Sequence, residues 1–266
     1  MKVAVVGIGV VGSSVLKSFM TKGIDVVPFD KYKNVGTIED ILNTDIAFLC
    51  LPTLYSYELS SYDKSSIIET CQYLSEHNYK GLVVIKSTVE PTTSEGLGKH
   101  FGLQVLHNPE FLTAKTAFED FHMQSHVIIG QTTGVTDEKT QILGQFFKTH
   151  YPQSMLTICS STESESIKIF CNCFYAVKVQ FFNECYILCQ KLGIDYNLIR
   201  DSMLKNNWIN PMHTQVPGTD GKLSYGGMCF PKDTNALLSF MKIMGVPHKV
   251  LEGAVEERKE IRGNDS

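Results

Sequence analysis

The sequence predicts an α/β protein, with a Rossmann-type parallel sheet followed by an all-helical domain that begins with a long connecting helix. Three observations support this class. A short apolar strand leads directly into a glycine-rich turn and a helix at the N-terminus. Strand-like apolar runs then alternate with helical stretches to about residue 150. Beyond residue 160 the apolar residues recur at helical spacing, so we expect domains at residues 1–159 and 160–266.

The composition indicates a globular protein whose main ligands are small molecules. The chain has 266 residues, is 43% hydrophobic and has a formal net charge of -4 without a long basic run. This charge argues against nucleic acid or an anionic membrane as a partner. Without a signal peptide or a membrane-spanning apolar run, we expect a cytoplasmic protein with mostly reduced cysteines. The eight cysteines lack paired zinc-binding spacing, so no metal site is expected.

The N-terminal strand and helix carry the pattern of a dinucleotide-binding turn. Lys2–Val6 is followed by three glycines that allow a tight turn and a close approach to a pyrophosphate at a helix N-terminus. A second strand ends at Asp30, whose carboxylate favours NAD over NADP, although Lys31 weakens that preference. The alternative is a glycine turn without a ligand. The cofactor-binding candidates here are Gly7, Gly9, Val10, Val11, Gly12, Asp30 and Lys31.

Further predicted strands end in polar residues. The strands are residues 46–51, 82–85, 103–106 and 127–129, and helices near 37–43, 65–78 and 136–149 lie between them. Ligands of doubly wound sheets bind at the carboxyl ends of the strands. Thr53, Thr88 and Glu110 follow three of these ends, so we expect them around the nicotinamide end of a cleft. Taken singly, each also fits a loop cap or a turn residue.

A long helix is predicted from about Glu163 to Leu192. It begins at two overlapping capping boxes in residues 160–165 and ends at Gly193. Lys168 and Asn172 are four residues apart and project from one face, where they would stabilise a substrate oxygen that gains negative charge. The alternative is a solvent-exposed polar face. The length suggests an interdomain or dimer element with apolar positions Phe170, Phe174, Val177, Phe181, Cys185, Leu188 and Leu192.

The segment Gly226-Gly227-Met228-Cys229-Phe230-Pro231-Lys232-Asp233 places a thiol between a glycine pair and a predicted helix start. Pro231 suits the first helical position, so Cys229 would lie near a helix N-terminus, which lowers the pKa of a thiol. Cys229 is therefore a candidate nucleophile, with Asp233 as an acid/base or water-holding partner. The alternative is a buried cysteine in a glycine turn. Other helices are expected at about 196–206, 234–244 and 246–262.

Together these motifs resemble the UDP-glucose/GDP-mannose dehydrogenase family. The resemblance rests on the glycine turn, Lys86-Ser87-Thr88-Val89, Asn108-Pro109-Glu110-Phe111-Leu112, the Glu165-x-x-Lys168-x-x-x-Asn172 helix and the Cys229 segment. It implies that two NAD molecules in turn oxidise the C6 alcohol of a nucleotide sugar, with UDP-glucose the expected one, to a carboxylate. It also implies a homodimer, because family members share active sites between subunits.

The resemblance assigns a catalytic role to six of the candidate residues. Cys229 forms a thiohemiacetal and then a thioester, while Lys168 and Asn172 stabilise the oxyanion. Asp233 holds the water that relays the hydroxyl proton, and Glu110, with Thr88 nearby, activates the water that releases the acid. The remaining candidates are Lys232 and Thr53 for the cofactor, and Phe111, Leu112, Lys168, Asn172, His213, Lys222, Tyr225, Gly226 and Gly227 for the substrate.

Three departures from the family pattern limit these expectations. Ala114, followed by Lys115, stands where members typically have an acidic residue, and His213 aligns near an arginine that reaches the sugar from the partner subunit. Members also usually continue into a second Rossmann-like domain, so the chain is either a short form or a fragment. Two alternatives stay open. One is a NAD-binding protein without turnover that depends on a partner, and the other is a two-electron hydroxyacid-type dehydrogenase, which needs no acylating cysteine.

Overall fold

The computed structural model describes residues 1–262, which form two compact units. The first unit contains Met1–Leu54 and Tyr62–Lys168, and the second contains Tyr55–Ser61 and the residues from Ile169 onward. The division by contacts therefore falls inside the long helix rather than before it. The domain limits expected at residues 159 and 160 stay a prediction.

The first unit is organised around a seven-stranded sheet with the order β2-β1-β3-β6-β7-β8-β9. All neighbouring strands are parallel except β7 and β8, which are antiparallel. The predicted fold class is confirmed, although the sequence did not predict this one antiparallel pair. Within residues 1–262 the strands are β1 (Lys2–Val6), β2 (Asp25–Phe29), β3 (Ile46–Leu49), β4 (Tyr55–Ser56), β5 (Ser61–Tyr62), β6 (Leu82–Ile85), β7 (Gln104–His107), β8 (His126–Gln131) and β9 (Met155–Ser160). Strands β4 and β5 form a separate two-stranded sheet.

Helices cover both faces of this sheet. Alternate residues of a strand point to opposite faces. Accordingly, Val3 and Val5 belong to one buried cluster, which contains Phe19 and Phe48, while Ala4 and Val6 belong to another. The helices of the first unit are α1 (Val10–Thr21), α2 (Ser65–Glu76), α3 (Thr93–Phe101), α4 (Ala117–His122) and α5 (Asp137–His150), with short 3-10 turns at Ile38–Asn43 and Ala114–Thr116. The carboxyl ends of the central strands are thereby left for a ligand.

The long helix α6 (Ser161–Leu192) begins at the first of the two overlapping capping boxes that the sequence predicts, while Glu165 of the second binds elsewhere. The Ser160 backbone N–H donates to the Glu163 carboxylate at 2.8 Å, and the Glu163 N–H donates back to Ser160 Oγ at 3.2 Å. The second unit then adds α7 (Tyr196–Leu204), α8 (Phe230–Ile243) and α9 (Lys249–Arg262). Within residues 1–262, no helix is long and apolar enough to cross a membrane.

Glu165 has a structural task that the sequence motif does not reveal. Its two carboxylate oxygens accept hydrogen bonds from the backbone N–H groups of Thr92 at 2.6 Å and Ser94 at 2.7 Å, at the start of α3. The side chain is fully buried, and burial raises its pKa to about 7 against the effect of these two donors. Glu165 therefore fixes the start of α3 against α6.

Candidate active site

The glycine turn between β1 and α1 has room for a ligand at one of its three glycines. Gly7 has φ +86°, and a Cβ atom there would lie 2.6 Å from the carbonyl oxygen of Cys50. A Cβ atom on Gly12 would overlap the Gly7 carbonyl oxygen, so both positions require glycine. The Cβ position of Gly9 has no atom within 4 Å, and the first turn of α1 has no acidic residue. This turn therefore fits the phosphates of a dinucleotide.

Asp30 is fixed directly beside the glycine turn. Its Oδ2 accepts a hydrogen bond from the Ile8 N–H at 2.8 Å, and its Oδ1 accepts from Tyr32 and Lys33, both at 3.0 Å. Burial opposes ionisation, but these donors lower the pKa of Asp30 below its usual value. Lys31 is paired with Glu69 at 2.6 Å, which offsets its charge. The carboxylate is thus ionised and placed as a NAD-preferring site requires.

Two of the predicted strand-end residues contact each other. The Thr53 hydroxyl donates to the Thr88 carbonyl oxygen at 2.8 Å, and both residues are buried. Ser87, which precedes Thr88, donates to the Leu51 carbonyl oxygen at 2.6 Å. These bonds link the segments that follow β3 and β6, so the carboxyl ends of neighbouring strands are held together as the sequence predicts.

Glu110 and Lys168 form an ion pair within the first unit. Glu110 Oε1 lies 3.0 Å from Lys168 Nζ, and the two side chains are only 11% and 5% exposed. The other carboxylate oxygen accepts the Leu112 N–H at 2.7 Å, and the Phe111 ring centroid lies 5.3 Å from Lys168 Nζ. The structure therefore brings four predicted site residues together. The alternative that Lys168 belongs to a solvent-exposed face is wrong.

Two residues beside this pair were not among the predicted site residues. Lys86 is buried and donates to the Asn108 carbonyl oxygen at 3.0 Å and to Asn108 Oδ1 at 2.8 Å. Burial lowers the pKa of Lys86 to about 8. His107 is fully buried, lies 2.8 Å from the Ser164 hydroxyl, and has its pKa lowered by burial to about 3. His107 is therefore neutral at pH 7, and Lys86 fixes the residue that precedes Pro109 and Glu110.

In the second unit, Asn172 and Asp233 are hydrogen-bonded. Asn172 Nδ2 donates to Asp233 Oδ2 at 2.6 Å, and Lys232 Nζ lies 2.5 Å from Asp233 Oδ1. Asp233 is fully buried and Asn172 is 7% exposed, so Asn172 does not lie on a solvated face. Cys173 donates its thiol hydrogen to the Asp233 backbone oxygen at 3.4 Å, and burial raises its pKa. Cys173 is therefore an unreactive thiol next to the carboxylate.

Cys229 is the single exposed cysteine among the eight, all of which lie in the described part of the chain. It occupies the N-cap position of α8, with Pro231 in the first turn, as the sequence predicts. Its carbonyl oxygen accepts the Asp233 N–H at 3.0 Å, which places Asp233 one turn along the same helix. The alternative of a buried cysteine is wrong. A helix N-terminus is the location in which proteins favour a thiolate.

The remaining substrate candidates differ in their contacts and in their exposure to solvent. His213 stacks on Tyr175 with ring centroids 5.0 Å apart and meets the edge of Phe230 at 5.5 Å. Burial lowers the pKa of His213, so it does not supply the positive charge of an arginine at pH 7. Tyr225 is buried, whereas Lys222 and Gly227 are exposed. The binding and catalytic roles assigned to all these residues stay predictions.

A doubly wound sheet with a glycine turn and a fixed acidic residue, followed by a helical unit, defines the class of NAD-dependent dehydrogenases. Residues 33–150 match the NAD binding domain of the UDP-glucose/GDP-mannose dehydrogenase family, and residues 162–259 match its central domain. The chain belongs to this family, which consists of oxidoreductases. The predicted family and NAD cofactor are confirmed, and the glycine turn adds the local fit described above.

One relative is similar in sequence, and two solved structures are similar in fold. UDP-glucose 6-dehydrogenase of Rickettsia bellii is 33% identical over 230 residues, which are 84% of this chain and 51% of that protein. A UDP-glucose dehydrogenase structure from Pyrobaculum islandicum has a TM-score of 0.85 at 24% identity, over 97% of this chain and 68% of that one. The 3-hydroxyisobutyrate dehydrogenase of Mycobacterium tuberculosis has a TM-score of 0.73 at 16% identity, over 97% and 92%. The chain thus spans about half the length of its curated relative.

Proposed function

We propose that this chain carries out the NAD-dependent oxidation of the C6 alcohol of UDP-glucose to a carboxylate. The observation that carries the proposal is Cys229, an exposed thiol at the start of α8. Neither a NAD-binding protein without turnover nor a two-electron dehydrogenase needs a nucleophile there. The name of the Rickettsia relative supports UDP-glucose as the sugar nucleotide.

The residues divide the chemistry into three stages. In the first, Asp233 would hold a water that takes the hydroxyl proton as a hydride leaves C6, for which bound NAD⁺ would be the acceptor. In the second, the Cys229 thiolate adds to the aldehyde carbon, and loss of a second hydride to a second NAD leaves a thioester. In the third, water replaces the thiol and releases the acid. One alcohol, one water and two NAD⁺ thus give one carboxylate, two NADH and three protons.

Within the first unit, the Glu110–Lys168 ion pair suits the final stage. A carboxylate accepts a proton from attacking water, and a nearby ammonium stabilises the negative charge that develops on oxygen. The 3.0 Å pair provides both groups, and Lys86 adds a second buried cation near the same loop. The Asn172 amide, which donates to Asp233 at 2.6 Å in the second unit, is proposed to stabilise oxyanion character on the substrate. Thr88 and Lys232 are proposed to contact the cofactor.

The number of NADH molecules formed per UDP-glucose consumed tests the function. We expect two NADH per sugar from the purified 266-residue chain, because a thioester-forming enzyme removes four electrons before release. The measurement combines absorbance of NADH with quantification of the sugar nucleotide and the acid. NADP⁺ serves as the cofactor control, since Asp30 lies where it would meet a 2'-phosphate.

The stoichiometry separates the proposal from both alternatives. One NADH per sugar, with release of an aldehyde, would identify a two-electron dehydrogenase. Binding of NAD without NADH formation from any nucleotide sugar would identify a protein without turnover or one that needs a partner. Either result would overturn the proposed reaction but leave the family assignment intact.

We further propose that the chain is a homodimer formed through one face of α6. The residues of this face in the second unit repeat every three or four positions. Phe174 is 64% exposed, Phe181 51% and Leu188 57%, while Val177 and Cys185 between them are half-buried. Residues at this spacing form a continuous apolar stripe along a helix, and a second copy presents an identical stripe that pairs with it around a two-fold axis. This use agrees with the dimer element suggested by the sequence.

Substitution of Phe174 by Glu tests the dimer. We expect the unmodified chain to have the mass of a dimer in light scattering and Phe174→Glu to have the mass of a monomer, because a charge in a paired apolar stripe is costly. Met20→Glu is the matched control, since Met20 is also 64% exposed but lies on α1. A monomeric mass for the unmodified chain, or dissociation of the control as well, would contradict the use of this face.

A further inference from the structure

Two arginines of α9 contact the backbone just before the Cys229 segment. Arg262 donates from Nη1 to the carbonyl oxygens of Leu223 and Ser224, both at 3.1 Å. Arg258 donates from Nε to the carbonyl oxygen of Tyr225 at 2.9 Å. Residues four apart lie on the same side of a helix, so one face of α9 binds three consecutive carbonyl groups. We call Arg258 and Arg262 the arginine clamp.

Both guanidinium groups of the clamp are buried, and the charge of Arg262 is compensated. Arg258 is 8% exposed, and the side chain of Arg262 is 5% exposed. Arg262 also forms an ion pair with Asp220, at the beginning of the same loop. Buried guanidinium groups are tolerated only when they are paired and hydrogen-bonded, so this arrangement is specifically stabilised. Arg262 thereby joins both ends of the loop 220–225.

Gly226 is matched to the clamp. A Cβ atom at this position would collide with the guanidinium group of Arg262. Packing against Arg262 therefore requires glycine at this position, whether or not a substrate also approaches it. The guanidinium group lies against the backbone that leads to Cys229. A larger residue at 226 would displace either the loop or the arginine.

The opposite side of the loop is held by α6. The Ser224 N–H donates to Asn183 Oδ1 at 2.8 Å, and the Ser224 hydroxyl donates to Gln180 Oε1 at 2.5 Å. Ser224 has φ +59°, a conformation that costs free energy for a residue other than glycine and persists only when its surroundings fix it. The loop is thus fixed between α6 and α9 in a backbone conformation that it would not adopt alone.

We infer that the arginine clamp is a positioning device that holds the Cys229 thiol at the N-terminus of α8. Arginine suits this task because its planar group has several donors in a fixed fork, and a lysine ammonium does not reproduce that geometry. The importance of the clamp for turnover rests on the proposed function, but its effect on the loop does not. The clamp can therefore be tested without substrate.

Hydrogen exchange of the loop tests the inference. We expect Arg262→Met to increase the exchange rate of the amides in residues 223–228 by about tenfold or more, because the loop loses the contacts of Arg262 with Asp220, Leu223 and Ser224. Alkylation of Cys229 by iodoacetamide, followed by peptide mass analysis, should slow by about threefold or more, because the thiol leaves the helix N-terminus. Lys259→Met is the control, since it removes one exposed positive charge from the same helix.

A second variant keeps the test decisive if Arg262→Met does not fold. Arg262→Lys retains the charge and the Asp220 pair but lacks the fork, so we expect a smaller increase in exchange in the same peptide. Unchanged exchange and unchanged alkylation in a folded variant would overturn the inference. Equal changes in Lys259→Met would also overturn it, because they would reflect the charge of α9. Absence of NADH formation bears on the proposed function alone.

Discussion

Cys229→Ser is expected to lower the rate of complete oxidation by about a thousandfold or more, because a serine hydroxyl stays protonated at neutral pH and is a much weaker nucleophile. The second NADH per sugar should disappear, since no thioester forms from which a second hydride can leave. Binding of NAD should be unchanged, because the glycine turn and Asp30 belong to the first unit. Rapid-quench measurement of NADH and of aldehyde in a single turnover checks the result.

Cys159→Ser is the control for this substitution. Cys159 lies in β9 and is partly exposed, and burial raises its pKa, so it is not a reactive thiol. Its variant should give the same two NADH per sugar as the unmodified chain. A Cys229→Ser variant that still forms two NADH per sugar at an undiminished rate would contradict covalent catalysis by this residue.

The sequence was sufficient for those parts of the fold that depend on local patterns. The capping box at Ser160, the proline after Cys229 and the glycines of the first turn are local signals, and each appears in the structure at the predicted place. Strand β9 was not predicted from the sequence. Most of its residues are exposed in the structure, and its sequence lacks the regular alternation of apolar and polar residues that marks a half-buried strand. The antiparallel pairing of β7 and β8 depends on chain direction, which periodicity does not report.

The candidate site was predicted through motifs rather than through its supporting contacts. The spacing on α6 predicted that Lys168 and Asn172 lie on one face, but it could not predict that both are buried. Their partners, Glu110 and Asp233, are distant in the sequence, so local spacing does not reveal these contacts. The arginine clamp was missed for the same reason. Arg258 and Arg262 look like surface residues of an amphipathic helix, and only their backbone partners distinguish them. Lys86 directly follows a wholly apolar strand and belongs to one of the family motifs, but the sequence predicted no role for it in the site.

Lys168→Met is expected to reduce both stability and activity. The substitution leaves Glu110 without its cationic partner in a site where its side chain is 11% exposed, which costs about 3–5 kcal/mol in a buried pair. We expect the rate of acid formation to fall about a hundredfold to a thousandfold, because an ammonium that stabilises the oxyanion is removed. Urea unfolding monitored by far-UV circular dichroism measures the free energy of unfolding. The rate of NADH formation measures activity.

Lys64→Met provides the matched control, because Lys64 pairs with Glu90 at 2.8 Å in the same unit but lies outside the candidate site. Its loss leaves Glu90, whose side chain is only 9% exposed, without its cationic partner, so the free energy of unfolding should fall by a similar amount, about 3–5 kcal/mol, while activity should be unchanged. If Lys64→Met and Lys168→Met reduced activity equally at temperatures where both are folded, the effect of Lys168 would be one of stability.

The double variant Lys168→Met/Glu110→Leu separates the two roles of the pair. Replacing both members of a buried ion pair by apolar residues removes the uncompensated charge, so stability should return to within about 1–2 kcal/mol of the unmodified chain. Activity should not return, because the proposed oxyanion-stabilising cation and the proposed hydrolytic base are then both absent. A stable double variant that still releases acid at the normal rate would show that the pair serves folding alone. Recovery of stability without activity would instead assign the pair to the reaction, since packing is then restored and only the charges are missing.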